Sequence, residues 1–299
     1  MPDVVCIGAA NVDIIGRVED FPKPDHEVSV TGNVKLLAGG SAANVAVGLS
    51  RLGKSAGFVG ILGTDQFADF LIKEFKKDGV DYSKTTKIAG TGGLVIATVN
   101  SKGERILFTS DGVAVNFKKE NIPVDYIKNA KFLHMTSIIG ENVVEAFEYA
   151  SMVAKKAGVR VTMDPGTIFA KKPNEMRSIM KNCYAILPSE IEAEMLTGLK
   201  GEKAGKKLLE YGPEVVVIKQ GDRGCTLITN TIIKKFPAVN ANVLDTTGAG
   251  DSFSAGFISA LLDKKSLEEA CKFANRVAAL STTREGARGT PKKEELKFL

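Results

Sequence analysis

The sequence lacks tryptophan and has only two histidines and four cysteines among its 299 residues. The cysteines lie far apart and form no C-x-x-C pair, which argues against a zinc site and against a disulfide framework. Neither histidine has a carboxylate or cysteine neighbour at metal-ligand spacing, and His134 is predicted to be a core or cleft-wall residue. We interpret the cysteines as reduced, mostly buried thiols: Cys6, Cys183, Cys225 and Cys271.

No long apolar run and no block of like charge occurs in the chain. The 40 basic and 35 acidic residues give a net charge of +5 without a single-sign run, so nucleic acid is not an expected partner. No apolar stretch approaches the roughly 20 residues that span a membrane. The chain enters a strand pattern at once, without a signal stretch. We therefore expect a cytoplasmic protein with no membrane partner.

Two common nucleotide-binding fingerprints are also missing. The chain contains no G-x-x-x-x-G-K-[ST] motif, which excludes P-loop kinases, and the turn after the first predicted strand lacks G-x-G-x-x-G. What is present is an ordinary globular composition, 44% hydrophobic and 25% charged. The length suits one large α/β domain or two small ones.

Short apolar runs alternate along the chain with longer helical patterns. The runs at 4–8, 57–60, 132–134, 159–163, 185–187 and 215–218 are predicted strands, and 143–156 and 266–282 are predicted helices. This alternation predicts βαβ units and a mostly parallel sheet covered on both faces. Two stretches break the rhythm. Residues 28–37 are mixed in polarity, and 93–99 with 105–109 flank a Ser101-Lys102-Gly103 turn, which predicts a hairpin in a small antiparallel sheet.

A glycine-rich turn that ends in a carboxylate lies near the carboxyl end, in Asp245-Thr246-Thr247-Gly248-Ala249-Gly250-Asp251. A helical pattern starts there, so the first amides of that helix are free to form an anion hole. Gly248 and Gly250 allow the backbone to approach a ligand closely. Asp251 is predicted to be a general base beside a bound phosphate. The alternative is an acidic residue that only faces the helix dipole.

This segment resembles the carboxyl-terminal signature of the PfkB carbohydrate kinases, the ribokinase-like superfamily. The segment Gly39-Gly40-Ser41-Ala42-Ala43-Asn44 resembles the other signature of that family, and the two occur in the family's order. The resemblance covers nearly the whole chain. It implies a three-layer α/β/α sandwich with a central, mostly parallel sheet and a small β-sheet lid. It also implies one kinase domain over 1–299, lid strands at about 14–38 and 91–112, and a homodimer formed through lid strands.

The resemblance also supplies an acceptor site. Asn11 and Asp13 follow the first predicted strand, where a turn role alone would explain them. In the family the residue equivalent to Asp13 and that equivalent to Asn44 hold sugar hydroxyls. Gly39 and Gly40 would let their loop pass close to the sugar.

Nucleotide and metal ligands are likewise implied. The turn Lys219-Gln220-Gly221-Asp222-Arg223-Gly224 follows a buried strand and borders the nucleotide in such proteins. The family motif Asn-x-x-Glu reads Ser189-x-x-Glu192 here, a departure that shortens the reach of the first side chain. Glu192 would contact Mg²⁺ through water. The alternative is that its charge only complements the helix dipole at the amino terminus of a helix. The implied nucleotide-binding residues are Ser189, Lys219, Gly221, Gly224 and Asn275.

Many members of the family bind K⁺ beside the anion hole. The residues implied as ligands through side-chain or backbone oxygens are Asp245, Thr247, Ser281, Arg284, Gly286 and Thr290. Asp245 has the alternative of an ordinary turn residue.

The function implied is ATP- and Mg²⁺-dependent phosphorylation of a hydroxyl group of a small sugar, in the manner of ribokinase, fructokinase or 2-keto-3-deoxygluconate kinase. Gly248, Ala249 and Gly250 would bind the transferred phosphoryl group and Asp251 would take the proton. The second alternative is a nucleoside kinase of the same fold, acting on the 5′-hydroxyl. Ribokinase contacts its substrate with a glutamate in the stretch that reads 134–138 here, which has no carboxylate, and this weighs against ribose itself. The third alternative is a non-catalytic sugar- or nucleotide-sensing module.

Overall fold

The computed structural model describes residues 1–102 and 104–298. In chain order the strands are β1 (Val4–Ile7), β2 (Asn11–Arg17), β3 (Lys35–Gly39), β4 (Ala56–Val59), β5 (Ile61–Leu62), β6 (Thr86–Lys87), β7 (Gly93–Val99), β8 (Arg105–Ser110), β9 (Phe132–Thr136), β10 (Arg160–Asp164), β11 (Ala185–Ile186), β12 (Val215–Lys219), β13 (Cys225–Ile228) and β14 (Ile233–Phe236). The helices are α1 (Ser41–Arg51), α2 (Gln66–Asp78), α3 (Val124–Lys128), α4 (Val143–Lys156), α5 (Gly166–Ala170), α6 (Pro173–Met180), α7 (Glu190–Thr197), α8 (Gly201–Leu209), α9 (Ala249–Leu262) and α10 (Leu267–Ser281). Short 3₁₀ turns lie at Gly112–Asn116, Lys119–Asn121, Gly221–Arg223 and Lys293–Phe298.

The large sheet has the order β14-β13-β12-β11-β10-β9-β1-β4. Neighbouring strands in the part β12-β11-β10-β9-β1-β4 of this order pair in parallel. The pairs β12–β13 and β13–β14 are antiparallel. Every residue of Val4–Ile7 is fully buried, as expected for a parallel strand covered on both faces. All six predicted strands of this sheet are confirmed, with bounds that differ by one or two residues.

Two apolar cores, one on each face of this sheet, make the fold a three-layer sandwich. Val4 and Cys6 face the core that is formed with α1, α2, α9 and α10. Val5 and Ile7 face the opposite core, formed with α3 to α8. The four cysteines are buried and free, and His134 is a core residue, as predicted. The predicted three-layer α/β/α class with a central, mostly parallel sheet is confirmed.

Local sequence explains where the helices begin. Helix α4 has the bounds predicted for it. Helix α10 begins after Ser266, whose side chain accepts a hydrogen bond from the Glu269 amide while the Glu269 carboxylate accepts from Ser266. This reciprocal capping box satisfies two amides that the first helical turn leaves unpaired.

A smaller sheet has the order β3-β2-β7-β8. The predicted hairpin is confirmed as the antiparallel pair β7–β8, although Gly103 of its turn lies outside the described residues. Three details differ from the prediction. The sheet is mixed rather than antiparallel, because β2 pairs with β7 in parallel. Asn11 and Asp13 lie within strand β2 of this sheet rather than in a turn, and within residues 28–37 only the part from Lys35 onward is a strand. The short parallel pair β5–β6 forms a separate two-stranded sheet. Among the residues described, no helix is long and apolar enough to cross a membrane.

Candidate active site

A cavity of about 680 Å³ opens at the carboxyl ends of the central parallel strands. Thr136 ends β9, Asp164 ends β10 and Lys219 ends β12, and all three line the cavity. The amino terminus of α9 forms another part of its wall through the run from Gly248 to Asp251. Ligands of open parallel sheets bind at this edge, so the cavity lies where the fold favours a site.

The turn before α9 is constrained by Gly248. Its φ is +74°, and a β-carbon at this position would stand 2.1 Å from the Ala287 carbonyl oxygen. Glycine is therefore required both by conformation and by space. The Ala249 amide donates to the Thr246 carbonyl at 3.2 Å. The next amides, those of Gly250 and Asp251, belong to the first helical turn, whose N–H groups lack intrahelical partners.

Asp251 lines the cavity rather than pointing into an apolar core. Its Oδ2 accepts a hydrogen bond of 2.8 Å from Asn44 Nδ2 on α1. Burial raises the pKa of Asp251 to about 7, and the charge of Asp164 adds to this, while Asn44, Lys219 and Ser41 oppose it. A carboxylate of this kind is poised to take a proton near neutral pH.

The predicted acceptor residues form a patch on β2, the end of β3 and the start of α1: Asn11, Asp13, Gly39, Gly40 and Asn44. Asn11 Nδ2 donates to Asp13 Oδ1, and a β-carbon on Gly39 would stand 2.8 Å from Asp13 Oδ2. Gly40, at a φ of +91°, would place a β-carbon 2.5 Å from the Ala9 carbonyl oxygen. Because neither glycine has a side chain, this loop can lie close against Asp13 and Ala9. Burial raises the pKa of Asp13 to about 6, against the lowering effects of the Arg288 charge and the Asn11 hydrogen bond.

Arg288 connects this patch to Asp251, and the sequence alone did not single it out. Its Nε donates to Asn44 Oδ1 at 3.4 Å, and its guanidinium lies 5.2 Å from the Phe75 ring centroid. Because a guanidinium can only donate, it fixes the Asn44 amide with Nδ2 toward Asp251. Both Arg288 Nη atoms are buried without a partner among the described residues. No motif marks an isolated arginine of this kind, so only the folded chain reveals it.

All five residues predicted to bind the nucleotide line the cavity: Ser189, Lys219, Gly221, Gly224 and Asn275. The Asn275 amide is already engaged, since its Nδ2 donates to the Phe236 and Pro237 carbonyls at 3.1 and 2.9 Å. The serine that stands at position 189, where the family motif has asparagine, has a structural consequence. Ser189 and Glu192 form a capping box, in which Glu192 Oε2 accepts from the Ser189 amide at 2.8 Å.

Glu192 nevertheless faces the cavity as a buried carboxylate. Burial and the neighbouring charge of Asp164 raise its pKa above the ordinary value, and Lys219 opposes them. Asp164, to which the sequence assigned no chemistry, forms a buried ion pair with Lys219. The two residues are 55 positions apart, so no local pattern predicts the pair.

The residues predicted to hold a monovalent cation come together in part. Asp245 accepts from the Thr247 amide at 2.9 Å, from Thr247 Oγ1 at 2.6 Å and from the Gly286 amide at 2.9 Å. Burial opposes it, but these bonds and the charge of Arg105 hold the pKa of Asp245 below its ordinary value. Side-chain groups of the other three bond elsewhere: Ser281 to Ala278, Arg284 to Glu295 and Thr290 to Ser252. In the part of the chain that is described, no group of three or more His, Cys, Asp or Glu is placed to hold a metal ion.

Comparison with known proteins points to one family. The sequence profile described as pfkB family carbohydrate kinase matches residues 1–294. A ribokinase of Staphylococcus aureus is 31% identical over 298 residues, which cover 96% of this chain and 95% of that protein. A 5-dehydro-2-deoxygluconokinase of Clostridium perfringens is 33% identical over 300 residues, with 93% and 86% covered. The solved structure of an Arabidopsis thaliana ribokinase, complexed with ribose and ATP, has a TM-score of 0.90 at 27% identity and covers 99% of this chain and 98% of its own.

Proposed function

We infer that this chain, which belongs to the pfkB family of carbohydrate kinases, is an ATP-dependent phosphotransferase that phosphorylates a hydroxyl group of a small sugar. The observation that carries the inference is the position of Asp251. Its carboxylate lies at the glycine-bounded amino terminus of α9, lines the cavity and is bonded to Asn44. A base beside an anion-binding helix terminus is the arrangement that phosphoryl transfer to an alcohol requires.

In the proposed mechanism, Asp251 accepts the proton of the acceptor hydroxyl as the hydroxyl oxygen attacks the γ-phosphorus of ATP in line. The bond from that phosphorus to the β–γ bridging oxygen breaks, and ADP leaves. The backbone of Gly248, Ala249 and Gly250 surrounds the transferred phosphoryl group, with the free amides of the first turn directed at its oxygens. Bound Mg²⁺ would supply charge neutralisation at the β- and γ-phosphates. Glu192 suits a water-mediated contact to it, because it is a buried carboxylate in the wall of the same cavity.

ATP would lie along Ser189, Lys219, Gly221, Gly224 and Asn275, all in the cavity wall. Gly221 and Gly224 have φ values of +60° and +91°, which suit a tight turn around a ligand. The Asn275 contribution is chiefly architectural, since its Nδ2 holds the backbone that follows β14. A K⁺ site around Asp245, Thr247 and Gly286, completed by backbone oxygens of Ser281, Arg284 and Thr290, belongs to the proposal.

The sugar would bind between Asp251 and the patch of Asn11, Asp13, Gly39, Gly40 and Asn44. Asp13 can accept from two hydroxyls and Asn44 Nδ2 can donate to an oxygen. The smaller sheet would then act as a lid over the sugar, within a single catalytic domain over 1–299. This would exclude water, the competing acceptor.

A homodimer through the lid also belongs to the proposal. Strand β8 is an edge strand, and its Leu107 and Phe108 are 55% and 63% exposed. An exposed apolar edge strand is a surface that a second copy can cover. The molecular mass in solution, measured by light scattering, tests this directly: a monomer contradicts it.

The first prediction is that ADP release depends on a sugar acceptor. Purified protein with Mg²⁺ and ATP would be assayed against neutral pentoses and hexoses, sugar acids and nucleosides, with and without K⁺. We expect at least one sugar to raise ADP release far above the rate with water alone. The relatives named above act on different sugars, so the panel must be broad. Turnover with nucleosides alone would favour the nucleoside kinase, and no acceptor-dependent turnover would favour a sensing module.

The second prediction concerns pH. Asp251 must be ionised to accept a proton, and burial raises its pKa to about 7. Below that value the ionised fraction falls, so kcat/KM for the acceptor should drop about tenfold per pH unit and level off above about pH 8. Titration of Asp13, whose pKa is about 6, should steepen the fall below that value. A kcat/KM that stays flat from pH 5.5 to 8 would contradict the assignment.

A further inference from the structure

The proposed mechanism gives no role to the Asp164 carboxylate, which lies in the cavity wall at the end of β10. Its Oδ2 pairs with Lys219 Nζ, and the two side chains are 10% and 14% exposed. Ser254 Oγ on α9 lies 3.4 Å from the same oxygen. Burying two charges is costly, and their attraction offsets that cost only where the geometry is good and the remaining polar atoms are hydrogen-bonded.

The position of the ammonium group suggests that use. A β-carbon on Gly250 would stand 3.3 Å from Lys219 Nζ, so the ammonium lies directly over the first turn of α9. The Lys219 amide donates to the Pro188 carbonyl at 2.8 Å, which anchors the backbone from which this side chain extends. A terminal phosphoryl group bound at that helix terminus would meet the ammonium at once.

Several ionisable groups face this point from different elements. Asp164 on β10, Glu192 on α7 and Asp251 on α9 all act on the charge of Lys219. His134 on β9 also faces Asp164 and Lys219, and burial lowers its pKa to about 4, so it is neutral. Asn44 and Ser41 of α1 bond to Asp251 without bringing charge. Three carboxyl groups therefore compete for one ammonium.

That competition matters for the base. A lysine paired with Asp251 would stabilise its ionised form and occupy the oxygen that must take the proton. The observed pairing with Asp164 leaves Asp251 free for the acceptor. Burial acts to lower the pKa of Lys219, but Asp164 and Glu192 raise it above its ordinary value, so the ammonium stays charged.

We propose that Asp164 is a positioning residue that holds the Lys219 ammonium over the first turn of α9, ready for a terminal phosphoryl group, and keeps it from pairing with Asp251. The proposal rests on the proposed function, since it assigns Asp251 and the α9 terminus their kinase roles. It concerns two side chains of which the sequence predicted a role only for Lys219, as a nucleotide-binding residue.

The direct test is a ¹³C carboxyl NMR titration of the ligand-free protein, with the Asp251 signal assigned by its loss in Asp251→Asn. In Asp164→Asn the Asp251 midpoint should fall by about one pH unit or more, because a negative neighbour is removed and the lysine is released toward Asp251. In Lys219→Met it should rise by a comparable amount. In the double variant the midpoint should lie above the wild-type value, because with Lys219 absent the loss of Asp164 removes only its negative charge and releases no lysine. Purely additive effects would instead bring the midpoint back close to the wild-type value.

Kinetics and nucleotide binding supply a second readout. Asp164→Asn should lower kcat at least tenfold with little change in the KM for ATP. Lys219→Met should weaken binding of ATP more than that of ADP, because only ATP brings the third phosphate. The kcat of the double variant should be no lower than that of Lys219→Met alone, and its ATP binding should be no weaker.

The matched control is Asp81→Asn, which removes another hydrogen-bonded carboxylate, one that bonds to Tyr126 away from this cavity. It should leave the Asp251 midpoint and the ATP preference unchanged. The proposal is overturned if the Asp251 midpoint in Asp164→Asn stays fixed or rises. It is also overturned if the losses of kcat in the two single variants add up in the double variant. Should Asp164→Asn fail to fold, an unmoved midpoint in Lys219→Met overturns it equally. If no acceptor is phosphorylated, the kinase assignment fails, but the titration still decides whether the pair governs Asp251.

Discussion

Asp251→Asn should lower kcat by about 10²–10⁴ while leaving the fold and the affinity for ATP close to those of the wild type. This range is typical of losing a general base. The change is isosteric, and the new side-chain oxygen can still accept the hydrogen bond that Asn44 Nδ2 gives to Asp251. What is lost is the ability to take the proton of the acceptor hydroxyl. Steady-state kinetics with the best acceptor of the panel, together with calorimetric ATP binding, measure both parts.

A control on the same helix separates this effect from general damage. Asp263 follows the carboxyl end of α9, pairs with Lys54 and has a side chain that is 52% exposed. Asp263→Asn should keep wild-type kcat, because it removes the same charge from the opposite end of the helix. The fall that begins near pH 7 should disappear in Asp251→Asn alone, which should keep only the fall below about pH 6 that comes from Asp13. Near-normal turnover of Asp251→Asn would remove this residue from the role of base and leave the family assignment without its proposed chemistry.

Much of the fold was predictable from the sequence for a physical reason. A run such as Val4–Ile7 is apolar at every position because both faces of a parallel strand are covered, and a run of that kind is visible without coordinates. The caps of α10 are equally local, since Ser266 and Glu269 stand three residues apart. The turn before α9 needs glycine for its backbone conformation, and the carboxylate that follows it is a candidate base. Both signals lie within one short segment, so this turn could also be predicted to form part of the site.

The rest depends on contacts that no short segment contains. Asp164 and Lys219 meet because β10 and β12 both end at the same edge of the sheet, with β11 between them. Arg288 reaches Asn44 across 244 positions of sequence. The strand character of Asn11–Arg17 arises from pairing with β3 and β7, whereas the sequence placed its first residues in a turn. Tertiary pairing decides such cases, and a single sequence carries no direct record of it.

Gly248→Ala should be a strongly damaging single-carbon change in the site. The residue has a φ of +74°, and its new β-carbon would stand 2.1 Å from the Ala287 carbonyl oxygen, which cannot move without shifting its own loop. The turn would have to open, and the first amides of α9 would move away from the phosphoryl group. Since loss of one such donor typically costs about 10²–10³ in kcat, we expect a loss at least that large, accompanied by lower thermal stability.

Gly198→Ala is the matched control because it isolates the conformational part of the cost. Gly198 ends α7 at a φ of +72°, and nothing lies within 4 Å of the point that a β-carbon would occupy there. Placing a non-glycine residue in this left-handed region costs about 1 kcal/mol of folding free energy, and kcat should not change. Thermal unfolding and kinetics of the two variants then separate strain from steric displacement. If Gly248→Ala lost no more stability than Gly198→Ala and kept its kcat, the amino terminus of α9 would not be the phosphoryl-binding element, and the site would have to be sought elsewhere along the cavity.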